Sequence, residues 1–214
     1  MANYIVDPSL LKPFVPKNTR IDFWKSQCYV SLVAFMFLNT RVKGMKIPFH
    51  VNFEEINLRF YVRQDDKRGV VFIKEIVGKP AVSLIANAIY KENYETMRVA
   101  HSWIATPATM NVEYRWKKGD WNAIRVSSEK TPVPIVSGSD EDFIANKYYG
   151  FTKTREYEVQ HAHWEMYPVR SHRIDVDFGK LYGEEFAFLS TQKPASVYLV
   201  EGSYISVLPT HPAT

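Results

Sequence analysis

One segment constrains the fold of this chain more than any other. Residues 53–63, FEEINLRFYVR, alternate between apolar and polar side chains. Successive side chains of a β-strand point to opposite faces of a sheet, so this alternation predicts a strand. The residues DDKRG at 65–69 are typical of a tight turn, and residues 70–77 form a second run of strand formers. The whole segment therefore predicts a β-hairpin.

The two faces of the predicted strand differ in chemistry. The polar face carries Glu55, Asn57, Arg59, Tyr61 and Arg63, opposite Ile56, Leu58, Phe60 and Val62. Such a face is typical of the solvent side of an antiparallel sheet, or alternatively of the inside of a barrel. Glu55 and Arg59 are separated by about 13 Å along a strand, at ~3.3 Å per residue. They can hold opposite ends of a small polar ligand, and the guanidinium fork of Arg59 suits a carboxylate.

The rest of the chain also favours strands joined in hairpins. Residues 27–38 predict a buried central strand, and residues 111–116 and 121–127 flank a turn at KKGD. Helical spacing predicts a helix over 80–93, and Ser139 with Asp142 resembles a capping box that opens a short helix over 140–147. This pattern favours one mostly β, α+β domain over residues 1–214, a largely antiparallel sheet or barrel with two or three external helices. Prolines 8, 13 and 16 predict an extended N-terminal arm over residues 1–20.

Composition excludes several classes of function. The single cysteine, Cys28, permits no internal disulfide and no cysteine zinc cluster, which favours a reduced, cytoplasmic protein. The net charge is only +4 and no basic stripe is present, so nucleic acid is not an expected partner. The longest apolar stretch, 28–38, is about half the ~20 residues that a membrane helix needs, so no membrane is expected either. The nine scattered glycines form no phosphate loop, so no cofactor is expected.

Several segments together resemble the YqjF-like family, a group of uncharacterised conserved bacterial proteins. The resemblance lies in EINLRFYV, RGVVFIKEI and ENYETMRV, and later in EDFIANKYYGF and QHAHWEMYPV, which together span about residues 28–176. That family is grouped with acetoacetate-decarboxylase-like proteins. The resemblance implies a closed, cone-like β-barrel with external helices and a central pocket.

The resemblance also implies a departure from decarboxylase chemistry. Acetoacetate decarboxylases use a Schiff-base lysine whose pKa is lowered by a neighbouring lysine, in a motif similar to R-E-I-x-G-x-P-K-K. Residues 74–82 read KEIVGKPAV, so Ala81 and Val82 stand in place of the lysine pair. Lys79 and Lys91 are alternative amine nucleophiles. Glu55 falls where the decarboxylases keep an active-site glutamate on an early strand, so the pocket can persist without the lysine pair.

Two histidines raise the question of a metal site. His161 and His163 share one face of a strand, but no third ligand accompanies them in sequence, so no metal is predicted. His163 and the adjacent Trp164 are instead expected to line a pocket wall.

Two hypotheses of function follow. In the first, a barrel-interior pocket binds a small anionic organic molecule, and any reaction is acid/base chemistry on a small carboxylate or keto compound rather than standard acetoacetate decarboxylation. Glu55 then acts as the acid/base, and the ligand-binding residues are Asn57, Arg59, Tyr61, Tyr94, His163 and Trp164. In the second, the protein is a non-enzymatic interaction or structural module, in dimeric form, whose barrel is filled by some of its 31 aromatic side chains.

Overall fold

The fold of the chain is known from a computed structural model, which describes residues 1–41, 51–90, 93–208 and 211–212. The first half contains the strands β1 (Ala2–Ile5), β2 (Arg20–Ile21), β3 (Tyr29–Phe37), β4 (Phe53–Gln64), β5 (Lys67–Val77), β6 (Tyr94–Thr96) and β7 (Arg98–Ala105), the helix α1 (Pro80–Tyr90) and a 3₁₀ helix (Pro8–Phe14). The second half contains the strands β8 (Thr109–Lys118), β9 (Asp120–Glu129), β10 (Val133–Pro134), β11 (Tyr149–Phe151), β12 (Arg155–His161), β13 (Glu165–Tyr167), β14 (Val169–Asp175), β15 (Ser196–Val197), β16 (Leu199–Val200), β17 (Ile205–Val207) and β18 (His211–Pro212), the helices α2 (Asp140–Ala145) and α3 (Phe178–Tyr182), and a 3₁₀ helix (Glu184–Ser190). In this part of the chain no helix has the length and apolarity to cross a membrane. The fold is α+β and mostly β.

The largest sheet is centred on the predicted hairpin. Its main path runs β15-β1-β3-β4-β5-β11-β12-β17, and the antiparallel pairs β3–β4 and β4–β5 form its middle. The turn between β4 and β5 places Asp65 at a positive φ of 49°, a conformation that Asp tolerates. The hairpin and the central strand predicted from the sequence are confirmed. A β-bulge interrupts the β4–β5 register between Leu58 and Arg59.

Two smaller sheets complete the strand pairing. An antiparallel sheet has the order β14-β9-β8-β7, and a short sheet has the order β10-β13-β16. Gly119, with a φ of +75°, makes the turn between β8 and β9 that KKGD predicted. In the described residues the strands pair as three open sheets with free edges. The closed barrel expected from the resemblance is therefore not confirmed.

The hydrophobic core lies against the apolar face of β4. Ile56, Leu58, Phe60 and Val62 are completely buried in one cluster with Trp116 and residues of α3. Full burial of an aliphatic or aromatic side chain contributes about 1.5–3 kcal/mol. This face of the strand therefore supplies much of the attraction between the large sheet and the four-stranded sheet.

The N-terminal segment differs from its prediction. Residues 2–5 are not part of an extended arm: β1 pairs with both β3 and β15 and buries Ala2, Asn3 and Tyr4. The first two prolines of this segment belong to a 3₁₀ helix rather than to extended backbone. Proline prevents long regular elements here, as predicted, but the residues that precede the first proline are free to pair as a strand.

Candidate functional site

The polar face of β4 is buried. Glu55, Asn57, Arg59 and Tyr61 are 2%, 1%, 9% and 1% exposed. The solvent-side interpretation of this face is therefore wrong for these four residues. Burial of both faces arises because β1 and α2 lie near the polar face, while the hydrophobic core covers the other.

Glu55 lies in a network of hydrogen bonds at one end of this face. Its Oε1 accepts from Asn57 Nδ2 at 3.0 Å, and its Oε2 accepts from the Tyr94 hydroxyl at 3.0 Å. Burial raises the pKa of Glu55 to about 7, although both hydrogen bonds and the charge of Arg59 act in the opposite direction. Glu55 can therefore hold or release a proton near neutral pH. Glu55, Asn57 and Tyr94 thus lie together, and their role in binding a ligand remains a prediction.

Arg59 lies at the other end of the buried face. Its Nη2 donates to the backbone carbonyl of Ile144, in α2, at 3.0 Å and lies 3.9 Å from Met1 Sδ. Its guanidinium carbon is 5.8 Å from the centre of the Tyr61 ring. Two buried atoms of this face, Arg59 Nε and Asn57 Oδ1, have no hydrogen-bond partner among the described residues.

Tyr61 is part of a polar chain that crosses four strands, β4, β3, β1 and β15. Its hydroxyl lies 2.7 Å from Ser31 Oγ and 3.4 Å from the Ile144 carbonyl. Ser31 donates to Asn3 Oδ1 at 2.7 Å, and Asn3 donates in turn to Ser196 Oγ at 3.0 Å. These contacts fix the position of the Tyr61 ring, on whose face a second basic residue lies.

That second basic residue is Lys147, which the sequence did not single out. Lys147 is buried, and its Nζ lies 4.1 Å from the centre of the Phe143 ring and 5.4 Å from that of Tyr61. Within the part of the chain that the structure describes, no carboxylate forms an ion pair with it. Burial, together with the charges of Arg68 and Arg59, lowers the pKa of Lys147 to about 7.

No local signal in the sequence identifies Lys147. It follows α2 and precedes an aromatic pair, a context typical of a solvated lysine. Its environment is made by Phe143, four residues earlier, together with Tyr61, which is distant in sequence. Glu75 is a second group that the sequence did not assign: it is buried on β5 and lies opposite Asn57 in the register of the β4–β5 pair.

His163 and Trp164 lie in a different group of contacts. His163 Nε2 is 3.2 Å from Asp142 Oδ1 and 2.9 Å from Asn146 Nδ2. The Trp164 ring stacks on His161 at 4.4 Å, and its Nε1 donates to Ser203 Oγ. None of these contacts reaches Glu55, Asn57 or Arg59, so a role for this pair in lining the same site remains a prediction. Over the described ranges, no three His, Cys, Asp or Glu side chains are placed to hold a metal ion.

Lys79, one of the two alternative amine nucleophiles, is not among the contacts of this face. Lys79 precedes α1, where its carbonyl accepts from Val82 and Ser83. Lys118 donates to Glu95 at the start of the β8–β9 turn. Lys91 lies outside the described residues.

Two surface grooves lie elsewhere on the molecule. One, of about 270 Å³, lies between β14 and the segment around Gln192. The other, of about 300 Å³, crosses the four-stranded sheet at Glu113 and Arg125. Neither is lined by Glu55, Asn57 or Arg59.

Comparison with known proteins identifies relatives in sequence. The model of a family described as DUF2071, "Uncharacterized conserved protein (COG2071)", matches residues 1–204. The uncharacterized protein YqjF of Bacillus subtilis (strain 168) is 36% identical over 72 residues, which are 33% of this chain and 30% of YqjF. The match thus spans less than a third of that relative's length. The resemblance to YqjF-like proteins is confirmed.

Solved structures with a similar fold include an enduracididine biosynthesis enzyme and an acetoacetate decarboxylase. The enduracididine biosynthesis enzyme MppR complexed with pyruvate has a TM-score of 0.67 at 8% identity, covering 99% of this chain and 86% of that one. Acetoacetate decarboxylase from Legionella pneumophila subsp. pneumophila str. Philadelphia 1 has a TM-score of 0.62 at 11% identity, covering 100% and 83%. At these identities the likeness establishes the fold alone.

Proposed function

This chain belongs to the DUF2071 family, and we propose that it binds a small organic anion with a carbonyl group against the buried polar face of β4. The observation that carries this proposal is the buried Arg59 Nε, an N–H donor with no hydrogen-bond partner among the described residues. A buried polar atom without a partner costs about 1–3 kcal/mol. An anionic oxygen of a ligand that accepts from Arg59 Nε recovers that free energy, and this gain favours binding.

Arg59 and Lys147 determine the charge of the ligand in this proposal. Both basic groups lie on the Tyr61 ring, and Arg59 contributes to lowering the pKa of Lys147. Arg59 and the protonated form of Lys147 repel each other, so an anionic group between them lowers the electrostatic energy of the site. A carboxylate fits this role, because a guanidinium donates two parallel hydrogen bonds to it.

Lys147 suggests the chemistry. A desolvated lysine next to another cation holds a neutral amine, which attacks carbonyl carbon. The amine nitrogen forms a bond to that carbon and loses its two hydrogens, which leave with the carbonyl oxygen as water. Glu55, with a pKa near 7, lies at the other end of the buried face and has no role in the proposed step. The substrate class is therefore a small oxo acid.

Two further observations support this class. The similar MppR structure is a complex with pyruvate, a small oxo acid. In addition, Ala81 and Val82, where the decarboxylase motif has its lysine pair, belong to the first turn of α1. A reaction that uses Lys147 takes its amine from the segment after α2 instead, so the proposal is distinct from standard acetoacetate decarboxylation.

Thermal unfolding with three small compounds tests the proposal. Pyruvate has a carboxylate and a carbonyl group, propionate has only the carboxylate, and acetone has only the carbonyl group. A ligand at ~100 Kd adds about 2.7 kcal/mol to the free energy of unfolding. We expect pyruvate to raise the melting temperature most, and Arg59→Met to remove the shift. Arg63→Met is the matched control, since Arg63 lies on the same strand but, among the described residues, donates to the exposed Asp65 carbonyl.

Two outcomes count against the proposal. One is a pyruvate shift of equal size in the native protein and in Arg59→Met. The other is the absence of a shift with all three compounds, which favours the interaction or structural module with a side-chain-filled interior.

A further inference from the structure

Strand β7 forms one edge of the four-stranded sheet. It pairs with β8 along its whole length, from Arg98 to Ala105, without a bulge. On its other side, the described residues give the backbone of residues 101–105 no hydrogen-bond partner. An edge strand of this kind is a template for another strand, because it presents a row of unpaired backbone N–H and C=O groups.

The hydrogen-bond pattern of the β7–β8 hairpin tells which residues face the free edge. Thr106 N donates to Thr109 O at 2.8 Å and closes the hairpin. Hydrogen-bonded and non-hydrogen-bonded pairs alternate along an antiparallel ladder. Ile104 and Ser102 therefore direct their backbone groups to β8. The residues between them, His101, Trp103 and Ala105, direct theirs to the edge.

The side chains at this edge are unusually apolar for a surface strand. Trp103 is 47% exposed and Ile104 is 59% exposed, on opposite faces of the sheet. Natural edge strands are protected by lysine, proline or bulges. Residues 99–105, VAHSWIA, contain none of these, and the only Lys or Arg of β7 is Arg98 at its start.

We propose that a second copy of this chain pairs with β7, antiparallel and centred on Trp103, so that two four-stranded sheets become one eight-stranded sheet. In this register Trp103 lies opposite Trp103, and His101 lies opposite Ala105. All of these residues direct their backbone groups to the edge, so every hydrogen bond of the new ladder is formed. Ile104 lies opposite Ser102, and the two copies of Arg98 are far apart.

A second copy fits this edge better than an unrelated strand. An antiparallel pair of identical strands is related by a two-fold axis. Each backbone group that points to the free edge of one β7 is therefore matched by a complementary group of the other β7. The pairing also covers both faces at once, because Trp103 and Ile104 are buried together against the partner. This inference is independent of the proposed oxo-acid site, and failure of one leaves the other standing.

Sedimentation velocity tests whether the protein is a dimer through β7. We expect the native chain to sediment at twice its mass of 24.9 kDa. Trp103→Pro removes an outward N–H that β8 does not use, so it is expected to give a folded monomer by circular dichroism. Leu84→Lys is the control for a competing interface, since Leu84 is the most exposed leucine and lies on α1. It is expected to leave the dimer intact.

Cross-linking through an engineered disulfide tests the register in which the two copies of β7 pair. In a hydrogen-bonded antiparallel pair the Cα atoms are about 5.5 Å apart, within the range that a disulfide spans. In a Cys28→Ser background, Trp103→Cys is expected to form an intermolecular disulfide on mild oxidation, and Val136→Cys, in an exposed loop, is not. A monomeric native protein, dissociation by Leu84→Lys but not by Trp103→Pro, or equal cross-linking of the two cysteine variants would overturn the proposal.

Discussion

Two strands of this molecule have nearly the same sequence pattern and opposite environments. Residues 55–60 of β4 read EINLRF, and residues 111–116 of β8 read NVEYRW. Each alternates three polar side chains with three apolar ones, and each carries a glutamate and an arginine on its polar face. The polar face of β4 is buried. That of β8 is in contact with solvent, where Glu113 pairs with the half-exposed Arg125 at 3.3 Å.

The difference lies in what covers each strand. Near β4, the carbonyl of Ile144 accepts from Arg59, and Lys147 packs on Tyr61. On β8, Arg115 is exposed, and its guanidinium lies 5.2 Å from the centre of the equally exposed Trp121 ring. An alternating pattern thus specifies which side chains share a face. The layer packed on that face decides whether its charges are solvated or buried.

The largest expected effect is on the pH dependence of stability, and it distinguishes the buried Lys147 from the exposed Lys117 on β8. Burial lowers the pKa of Lys147 from its ordinary 10.5 to about 7. The folded state therefore disfavours the proton, and stability is fully present above pH 10.5 and is lost as the pH falls toward 7. At 1.36 kcal/mol per unit, the loss is of the order of 5 kcal/mol.

Lys147→Met is expected to remove this dependence between pH 7 and 10.5, measured by urea unfolding as the difference from the native protein. Lys117→Met, on the outward side of β8, is the control and is expected to leave the slope unchanged. Parallel curves for native protein and Lys147→Met contradict the buried, neutral amine.

The next effect is the loss of folding stability when the Arg59 side chain is removed. Arg59→Ala is expected to destabilise the protein by about 3 kcal/mol, because it leaves a cavity and removes a charged hydrogen bond to the Ile144 carbonyl. Arg125→Ala is expected to cost at most about 1 kcal/mol, since its ion pairs are partly exposed. Urea unfolding at pH 7 measures both. If Arg59→Ala and Arg125→Ala lower the free energy of unfolding equally, burial does not distinguish the polar face of β4 from that of β8.

The carboxylate of the buried face has the opposite pH dependence to Lys147. Burial raises the pKa of Glu55 from 4.5 to about 7. Stability is therefore fully present below pH 4.5 and is lost as the pH rises through 7, by of the order of 3 kcal/mol. Glu55→Gln is expected to flatten this slope, and Glu113→Gln on β8 is expected to keep it. A Glu55→Gln protein with the native slope between pH 4.5 and 7 rules out the raised pKa.

The smallest expected loss of stability comes from a change in α2, which lies near the polar face of β4, rather than from a change in β4 itself. Ser139 caps α2, and its side chain accepts from Asp142 N at 3.2 Å. Ser139→Ala is expected to cost about 1 kcal/mol. Because α2 holds the carbonyl that Arg59 uses, the same variant is also expected to weaken binding of pyruvate. Ser127→Ala on β9 serves as control; if it weakens pyruvate binding equally, α2 has no special role.

The local elements were predictable, whereas the buried site was predictable only in part. The β4–β5 hairpin, the turn at Gly119 and the capped start of α2 follow from local periodicity and turn chemistry, which operate over a few residues. Glu55, Asn57 and Arg59 were found because they share one face of one strand. Lys147 was missed because its burial depends in part on Tyr61, from another part of the chain. β1 was missed because three nearby prolines obscure a strand of four residues.

Reductive trapping tests the central claim most directly. Borohydride reduces an imine to a stable secondary amine, so native protein incubated with pyruvate at pH 7 can be reduced, digested and analysed by mass spectrometry. The account predicts a pyruvate adduct on the peptide that contains Lys147, lost in Lys147→Arg and diminished in Arg59→Met. An adduct spread over surface lysines such as Lys117 and absent from Lys147 would contradict the account.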